Sequence, residues 1–291
     1  MNPVRHALAA AGSVHTMAAT HAAPGAPRAH SRPTCASPHH SPHLMATLFL
    51  VRHGQASFGA ANYDCLSATG RQQARWLGEY FRDRGVAFTR VIAGSLVRQQ
   101  DTALEILAGM GTPGVPPGTA PRAPAEALAT VAEEAPRACV ETHPGLNEYD
   151  GEALYRSHTA GRDHRAHQNE DYNDYWRTFR AAYQAWTLDQ LAGMPESWRD
   201  FGGRIRAGLA HATEGATRED ALLVVSSGGA IGRAVADLLG APAQTAIELN
   251  LQFRNTAFCE IIAGRGTQRL LSFNSLPHLE RADRRQAITF A

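Results

Sequence analysis

Apolar runs alternate with helical patterns along most of the chain, and this alternation predicts a repeated strand–helix order. Residues 47–51 and 221–225 are nearly continuous apolar runs, as expected for strands that are buried on both faces. Shorter runs predict further strands at 91–93, near 139–141, at 256–262 and at 269–273. Strands separated by helices favour a largely parallel sheet.

The segments between the strands carry helical signals. After Ser67, which can cap a helix, Ala74, Leu77 and Phe81 recur at helical spacing, and Gly85 provides a stop. Further helices are predicted from Ser95, as an N-cap, through Ala103 and Leu107, and over residues 231–239. The expected fold is therefore α/β, with three layers: a mostly parallel sheet and helices on both of its faces.

Two segments depart from this alternation. Residues 1–44 contain no Asp or Glu, hold half of the 14 histidines and are rich in Ala, Pro and Ser, a composition that predicts a disordered N-terminal extension. A single folded domain is expected to span 45–291, with an aromatic-rich helical insertion at about 152–212. The aromatic residues of this insertion, and the series Trp198, Phe201 and Arg204, are expected to pack their helices. A Pro- and Gly-rich stretch at 109–124 predicts a loop.

Composition narrows the function classes. The 28 Lys and Arg nearly balance the 27 Asp and Glu, so no global charge favours nucleic acid or an anionic membrane. None of the four cysteines forms a C-x-x-C pair, which argues against a disulfide framework or a zinc knuckle. This use of cysteine fits a protein of the reducing cytoplasm. No apolar run approaches the roughly 20 residues that span a bilayer. A soluble cytoplasmic protein is expected.

Candidate chemistry follows the predicted strands, because parallel sheets present ligand-binding residues at their carboxyl ends. Arg52, His53 and Gly54 follow the first strand. A guanidinium group matches phosphate oxygens, an imidazole can attack phosphorus near neutral pH, and a glycine lets the backbone approach a ligand. Arg98 would lie in the first turn of the helix capped by Ser95, where backbone N–H groups favour an anion. Individually, each residue also fits a structural turn or a solvated surface.

Two later segments add further candidates. Glu148, after the strand predicted near 139–141, could protonate a leaving oxygen if burial raised its pKa. Ser227, Gly228 and Gly229 follow the strand at 221–225 and could direct a hydroxyl group and backbone N–H groups at an anion. Exposed acids are common in proteins, so Glu148 carries little weight by itself.

Together these segments resemble the histidine phosphatase superfamily, in its phosphoglycerate mutase-like branch. The resemblance rests on the residues at 50–54, 66–70, 73–74, 95–103, 146–148 and 224–229. It implies that His53 is the phosphorylated nucleophile, that Arg52 and Arg98 hold phosphoryl oxygens, and that Glu148 is the general acid. His278, near a similar family tail, is expected to be structural.

The chain departs from the family pattern at one position. The family usually places a second histidine where this sequence has Ser227. A serine hydroxyl group can still donate a hydrogen bond to a phosphoryl oxygen, but it carries no charge. Because loss of one aimed donor costs on the order of 100- to 1000-fold in other enzymes, slow turnover or an unusual substrate is expected. Gly228 is expected to compensate in part with its backbone N–H.

The resemblance implies a phosphomonoesterase that acts on a small phosphorylated substrate through a phosphohistidine, without a metal or cofactor. A phosphoglycerate mutase is one alternative, and a phosphate-binding regulatory protein with little catalysis is another. A serine hydrolase based on Ser227 is disfavoured, because the G-x-S-x-G motif is absent. No nucleic-acid or membrane partner is expected, and a homodimer remains an open alternative.

Overall fold

The computed structural model of the protein describes residues 45–57, 64–111, 140–159, 172–264 and 267–290. These residues belong to one compact unit, Pro42–Ala291. The predicted N-terminal extension, Cys35, Cys139 and residues 112–124 of the predicted loop lie outside the described stretches. The start of that loop is helical instead, because the helix after the second strand continues to Met110.

Six strands of the described chain form one sheet in the order β3-β2-β4-β1-β5-β6. They are β1 Met45–Arg52, β2 Phe88–Ala93, β3 Val140–Thr142, β4 Ala221–Ser226, β5 Phe258–Gly264 and β6 Thr267–Ser275. The strands β1 to β4 pair in parallel, whereas β5 and β6 add antiparallel pairings at one side. The predicted mostly parallel α/β sheet is therefore confirmed.

Helices cover both faces of the sheet. They are α1 Ala68–Asp83, α2 Val97–Met110, α3 Gly151–His158, α4 Tyr172–Thr187, α5 Trp198–Thr213, α6 Gly228–Leu238 and α7 Ala243–Gln252. Side chains of β1 alternate between two cores: Phe49 and Val51 pack with α1 and α2, while Leu48 and Leu50 belong to the core that includes α3 to α7. This alternation explains why nearly every residue of β1 is apolar.

The segment predicted as a helical insertion contains α3, α4 and α5. Its aromatic residues Tyr183, Trp186, Trp198 and Phe201 are buried, and their rings contact one another edge-on or at a tilt. Tyr149 joins this cluster, with its ring centroid 5.1 Å from that of Tyr183. The cluster thus anchors the loop that precedes α3. Among the described helices, none is both long and apolar enough to cross a membrane.

The two central strands create a crevice at their carboxyl ends. Arg52 of β1 lies beside Ser226 of β4 in the parallel register. After β1 the chain enters α1 on one face, and after β4 it enters α6 on the other face. Such a divergence between neighbouring parallel strands is where open α/β sheets bind ligands.

One helix start differs from the prediction. Ser95 does not cap α2, because the helix begins later and its N-cap is Leu96, which makes no side-chain cap bond. Instead, the Ser95 hydroxyl oxygen accepts a bond of 2.7 Å from the Asn147 side chain, and the Ser95 backbone N–H donates to the same residue at 2.7 Å. Ser95 thus connects the end of β2 to the loop before α3.

Candidate active site

His53 lies at the carboxyl end of β1, in the crevice. Its backbone N–H donates to Ser226 O at 2.9 Å, which continues the pairing of β1 with β4. The next residue, Gly54, packs so closely that a Cβ atom there would come within 2.5 Å of Gly70 O, so only glycine fits without a shift. The Gly54 N–H donates to the Thr102 hydroxyl of α2 at 3.0 Å. The loop after His53 is therefore fixed between α1 and α2.

The carbonyl oxygen of His53 is held by a second group of buried polar residues. It accepts from the Asn255 side chain at 3.2 Å and from the Thr256 backbone N–H at 3.3 Å. Asn255 in turn accepts from the Thr289 hydroxyl at 2.9 Å, and Thr289 accepts from Gln73 of α1 at 2.8 Å. The position of His53 thus depends on residues from both ends of the described domain.

Both imidazole nitrogens of His53 have partners that determine the tautomer. Nδ1 lies 2.8 Å from Gly54 O, and Nε2 lies 3.2 Å from Arg98 Nε. A carbonyl oxygen only accepts and a guanidinium N–H only donates. The ring therefore carries its proton on Nδ1, and the lone pair of Nε2 accepts the hydrogen bond from Arg98 Nε.

Burial lowers the pKa of His53 well below its ordinary value, and the charges of Arg98 and Arg52 lower it further. The hydrogen bond to Gly54 acts in the opposite direction. The imidazole is consequently neutral at pH 7, which is the state required of a nucleophile.

Arg98 is positioned from its other side by Asp64. Arg98 Nη1 lies 2.7 Å from Asp64 Oδ1, and the Arg98 side chain is only 10% exposed. The same carboxylate accepts from the Val97 backbone N–H at 2.9 Å and, at 3.5 Å, from the Arg98 backbone N–H. Asp64 therefore caps α2. The prediction that this helix N-terminus would receive the ligand anion directly is wrong for these two N–H groups, because Asp64 already uses them.

Arg52 is buried beside the N-terminus of α6. Its Nη1 donates to Phe253 O, and a Cβ atom on Gly228 would lie 3.5 Å from the Arg52 guanidinium carbon. The charges of both Arg52 and Arg98 lower the pKa values of His53 and Glu148. The two guanidinium groups, the imidazole and the carboxyl group therefore share one site.

Glu148 lies against the first turn of α6. Its Oε2 accepts from the Gly229 N–H at 2.9 Å, and its Oε1 accepts from the Tyr149 N–H at 3.2 Å. A Cβ atom on Gly229 would come within 2.4 Å of Glu148 Oε1, so this approach requires glycine. Burial raises the pKa of Glu148, although these hydrogen bonds and the charges of Arg98 and Arg52 oppose the increase. The carboxyl group can hold a proton closer to neutrality than an exposed glutamate can.

Arg204 of α5 fixes the backbone of the loop that carries Glu148. Its guanidinium group donates to the carbonyl oxygens of Gly145 at 3.1 Å, Asn147 at 2.7 Å and Glu148 at 3.2 Å. Its remaining N–H groups bind Glu196 at 2.7 and 2.8 Å. Trp198 and Phe201 pack α5 as expected, whereas Arg204 holds the loop that carries Glu148.

Ser227 is the N-cap residue of α6, and its side chain makes no cap bond. It is fully buried, and its hydroxyl oxygen accepts a hydrogen bond of 2.8 Å from Gln99 Nε2. Gly228 and Gly229 already belong to the first turn of the helix, which begins earlier than the predicted residue 231. Ser227 therefore lies against Gln99 and next to Gly228, which borders the Arg52 guanidinium group.

The structure brings together the residues that the sequence analysis predicted for the site: His53, Arg52, Arg98, Glu148, Ser227 and Gly228. Their chemical roles remain predictions. His278 lies elsewhere, buried with Nε2 2.9 Å from the Thr256 hydroxyl, and burial lowers its pKa to about 3. Sequence reasoning missed Asp64, Gln99 and Arg204, because each acts on a residue far away in the chain. The sequence could have indicated these three residues only as polar residues that lie next to a motif residue or on a predicted helix.

Comparisons with known proteins identify the family of the chain. The sequence profile of the histidine phosphatase superfamily (branch 1) matches residues 48–123 and 119–276. None of the curated proteins compared with the chain matches it.

Several solved structures share the fold. The alpha-ribazole phosphatase from Shigella flexneri is 24% identical, with a TM-score of 0.50 over 79% of this chain and 96% of that one. A protein titled Mycobacterial hydrolase 2 is 21% identical, with a TM-score of 0.54 over 84% and 97%. Bacillus stearothermophilus YhfR is 17% identical, with a TM-score of 0.53 over 81% and 100%. At these identities the structures establish the fold alone, whereas the profile covers most of the chain, and the protein therefore belongs to the histidine phosphatase superfamily.

Proposed function

We propose that the protein is a phosphomonoesterase that hydrolyses small phosphorylated substrates through a phosphohistidine on His53. The observation that carries this proposal is the bonding of the His53 ring. Its proton is fixed on Nδ1 by Gly54 O, and its Nε2 lone pair meets the guanidinium group of Arg98. A neutral imidazole nitrogen beside a cation is suited to attack a bound phosphate dianion.

In the first step, a phosphate ester binds between Arg52 and Arg98 and takes the place of the Arg98–His53 hydrogen bond. His53 Nε2 attacks phosphorus in line, a P–N bond forms and the P–O bond to the alcohol breaks. Glu148, whose pKa is raised by burial, gives its proton to the departing oxygen. The guanidinium groups of Arg52 and Arg98 hold the phosphoryl group in position and stabilise its charge in the transition state.

In the second step, water attacks the phosphohistidine. The P–N bond breaks, inorganic phosphate forms, and the electron pair returns to His53 Nε2. Glu148, now a carboxylate, accepts the proton from the attacking water. Both groups are thereby restored for another cycle.

The first experiment compares the protein with a His53→Ala variant on p-nitrophenyl phosphate. We expect kcat/KM to fall about 10⁵-fold or more, the scale seen when a nucleophile is removed. His158→Ala is the matched control, because His158 is exposed at the end of α3, and it should retain full activity. Activity that survives in His53→Ala would discard the mechanism.

The same preparation separates the alternatives. Isomerisation of 3-phosphoglycerate faster than its hydrolysis would favour a phosphoglycerate mutase. Tight binding of inorganic phosphate, with neither turnover nor phosphohistidine, would favour a regulatory protein that binds phosphate.

A further inference from the structure

The residue that faces Ser227 is Gln99, and both side chains are fully buried. Gln99 lies in the first turn of α2, next to Arg98. Its Nε2 donates to Leu146 O at 3.1 Å and to Ser227 Oγ at 2.8 Å. The Leu146 carbonyl oxygen can only accept, so it fixes which end of the amide carries the nitrogen. The Gln99 N–H therefore points at Ser227.

This orientation determines what the Ser227 hydroxyl group can do. Because the amide N–H donates, Ser227 Oγ accepts, and the hydroxyl proton must point elsewhere. Within the part of the chain that the structure describes, the bond from Gln99 is the one recorded for this hydroxyl group. Gly228, the next residue, lies against the Arg52 guanidinium group. The hydroxyl proton of Ser227 is thus left for another acceptor, and Ser227 is adjacent to the helix terminus where we propose that the phosphate binds.

Gln99 also packs closely against the glycine at the end of β2. A Cβ atom placed on Gly94 would come within 1.9 Å of Gln99 Oε1 and within 2.7 Å of Asn147 Oδ1. The amide is therefore confined between the end of β2 and Ser227. Because Gln99 Nε2 lies 2.8 Å from Ser227 Oγ and both side chains are buried, a side chain as large as histidine at position 227 would press against Gln99, and packed interiors do not accept such additions without strain.

We propose that Gln99 is a positioning residue that orients the Ser227 hydroxyl proton toward the phosphoryl group, and that the pair occupies the place of a larger side chain at position 227. This inference rests on the proposed function and deepens it. In this proposal Gln99 does not contact the substrate and acts on the transition state through Ser227.

The test is a set of double-mutant cycles in the full chain, assayed with p-nitrophenyl phosphate. Gln99→Ala and Ser227→Ala should each lower kcat about 100-fold with little change in KM, because one aimed donor is lost. The combined Ser227→Ala and Gln99→Ala variant should lose no more than either single variant. Additive losses, or an unchanged kcat in Gln99→Ala, would overturn the proposal.

A second cycle uses histidine. Ser227→His alone should lower activity or thermal stability, whereas Ser227→His combined with Gln99→Ala should exceed the unmodified protein by about 10-fold, because a charged donor then has room. Equal gains in both backgrounds would contradict the steric part of the proposal. If Ser227→His does not fold, the alanine cycle still decides the positioning role.

Gln100→Ala is the matched control, because Gln100 is the neighbouring glutamine and donates to Gly94 O at 2.6 Å. Gln100→Ala should leave kcat unchanged. If it lowered kcat as much as Gln99→Ala does, a general disturbance at the start of α2 would explain both losses, and the positioning role of Gln99 would be overturned. Phosphohistidine is measured in every variant. Its absence from the unmodified protein would reject the proposed function and this inference together, whereas its presence with independent effects of Gln99 and Ser227 would reject this inference alone.

Discussion

The site has two halves that differ in how they are held and in what burial does to them. One half contains Arg52, His53 and Arg98 and lies at a strand end and the start of α2; we call it the nucleophile half, after its proposed role. The other contains Glu148 and Ser227 and lies on a loop and the start of α6; we call it the leaving-group half, after the role proposed for Glu148. Burial lowers the pKa of His53 and raises that of Glu148. Since desolvation disfavours charge in both groups, one buried environment shifts both His53 and Glu148 toward their neutral forms.

This comparison predicts different substrate dependence for the two halves. Changes in the nucleophile half should slow esters with good and poor leaving groups alike, because both need attack on phosphorus. Changes in the leaving-group half should mainly slow alkyl phosphates, because p-nitrophenolate leaves without a proton. The ratio of kcat/KM for the two ester types therefore assigns a residue to a half.

The largest effect among the supporting residues is expected for Arg98→Ala. Both ester types should lose about 10³-fold in kcat/KM, because a buried cation beside the phosphoryl group is removed. The Arg98 charge also lowers the pKa of His53, so the acidic limb of the pH profile should move to higher pH. Arg71→Ala is the control, since Arg71 binds Asp101 and Glu105 of the same helix from an exposed position. A loss confined to alkyl phosphates would place Arg98 in the other half.

An intermediate and selective effect is expected for Glu148→Gln. Alkyl phosphates should lose about 10²-fold in kcat/KM and p-nitrophenyl phosphate only a few-fold. In the unmodified protein, kcat/KM should fall as pH rises through the raised pKa of Glu148, because the acid loses its proton; the variant should lack this limb. Glu152→Gln, at an exposed residue paired with Arg156, serves as control. Equal losses for both esters would argue against a general acid.

The smallest effect is expected for Arg204→Met, which removes three hydrogen bonds to the backbone of the loop that carries Glu148. We expect a loss of about 10-fold, confined to alkyl phosphates, because misplacement of Glu148 weakens proton transfer. Arg206→Met, two residues further along α5 and paired with Asp237 at the surface, should have no effect. If Arg204→Met instead slowed p-nitrophenyl phosphate as much as it slowed alkyl phosphates, Arg204 would support the whole site.

Local sequence signals predicted the strands, the start of α1 and the motif residues, because apolar periodicity and cap residues act over short distances. The start of α2 was wrong for the opposite reason. Ser95 had the chemistry of a cap, but the helix is capped by Asp64, 33 residues before Val97. Helix α7 carried too weak an apolar pattern to be assigned, with Ala246 and Ile247 as its buried residues.

The contacts of Gln99 and Arg204 were also beyond sequence reasoning. Gln99 meets Ser227 from 128 residues away, and Arg204 meets the Glu148 carbonyl from 56 residues away. Such pairs depend on how helices from both faces meet the sheet edge. Periodicity along one element contains no information on that geometry.

The most direct test of the account is to trap the intermediate. The protein is mixed with a phosphomonoester, quenched in base within one turnover and mapped by mass spectrometry. We predict one phosphoryl group on His53, stable in base and lost in acid, and none on the His53→Ala variant. Hydrolysis that proceeds with no phosphate on His53, or with phosphate on Ser227, would contradict the central claim.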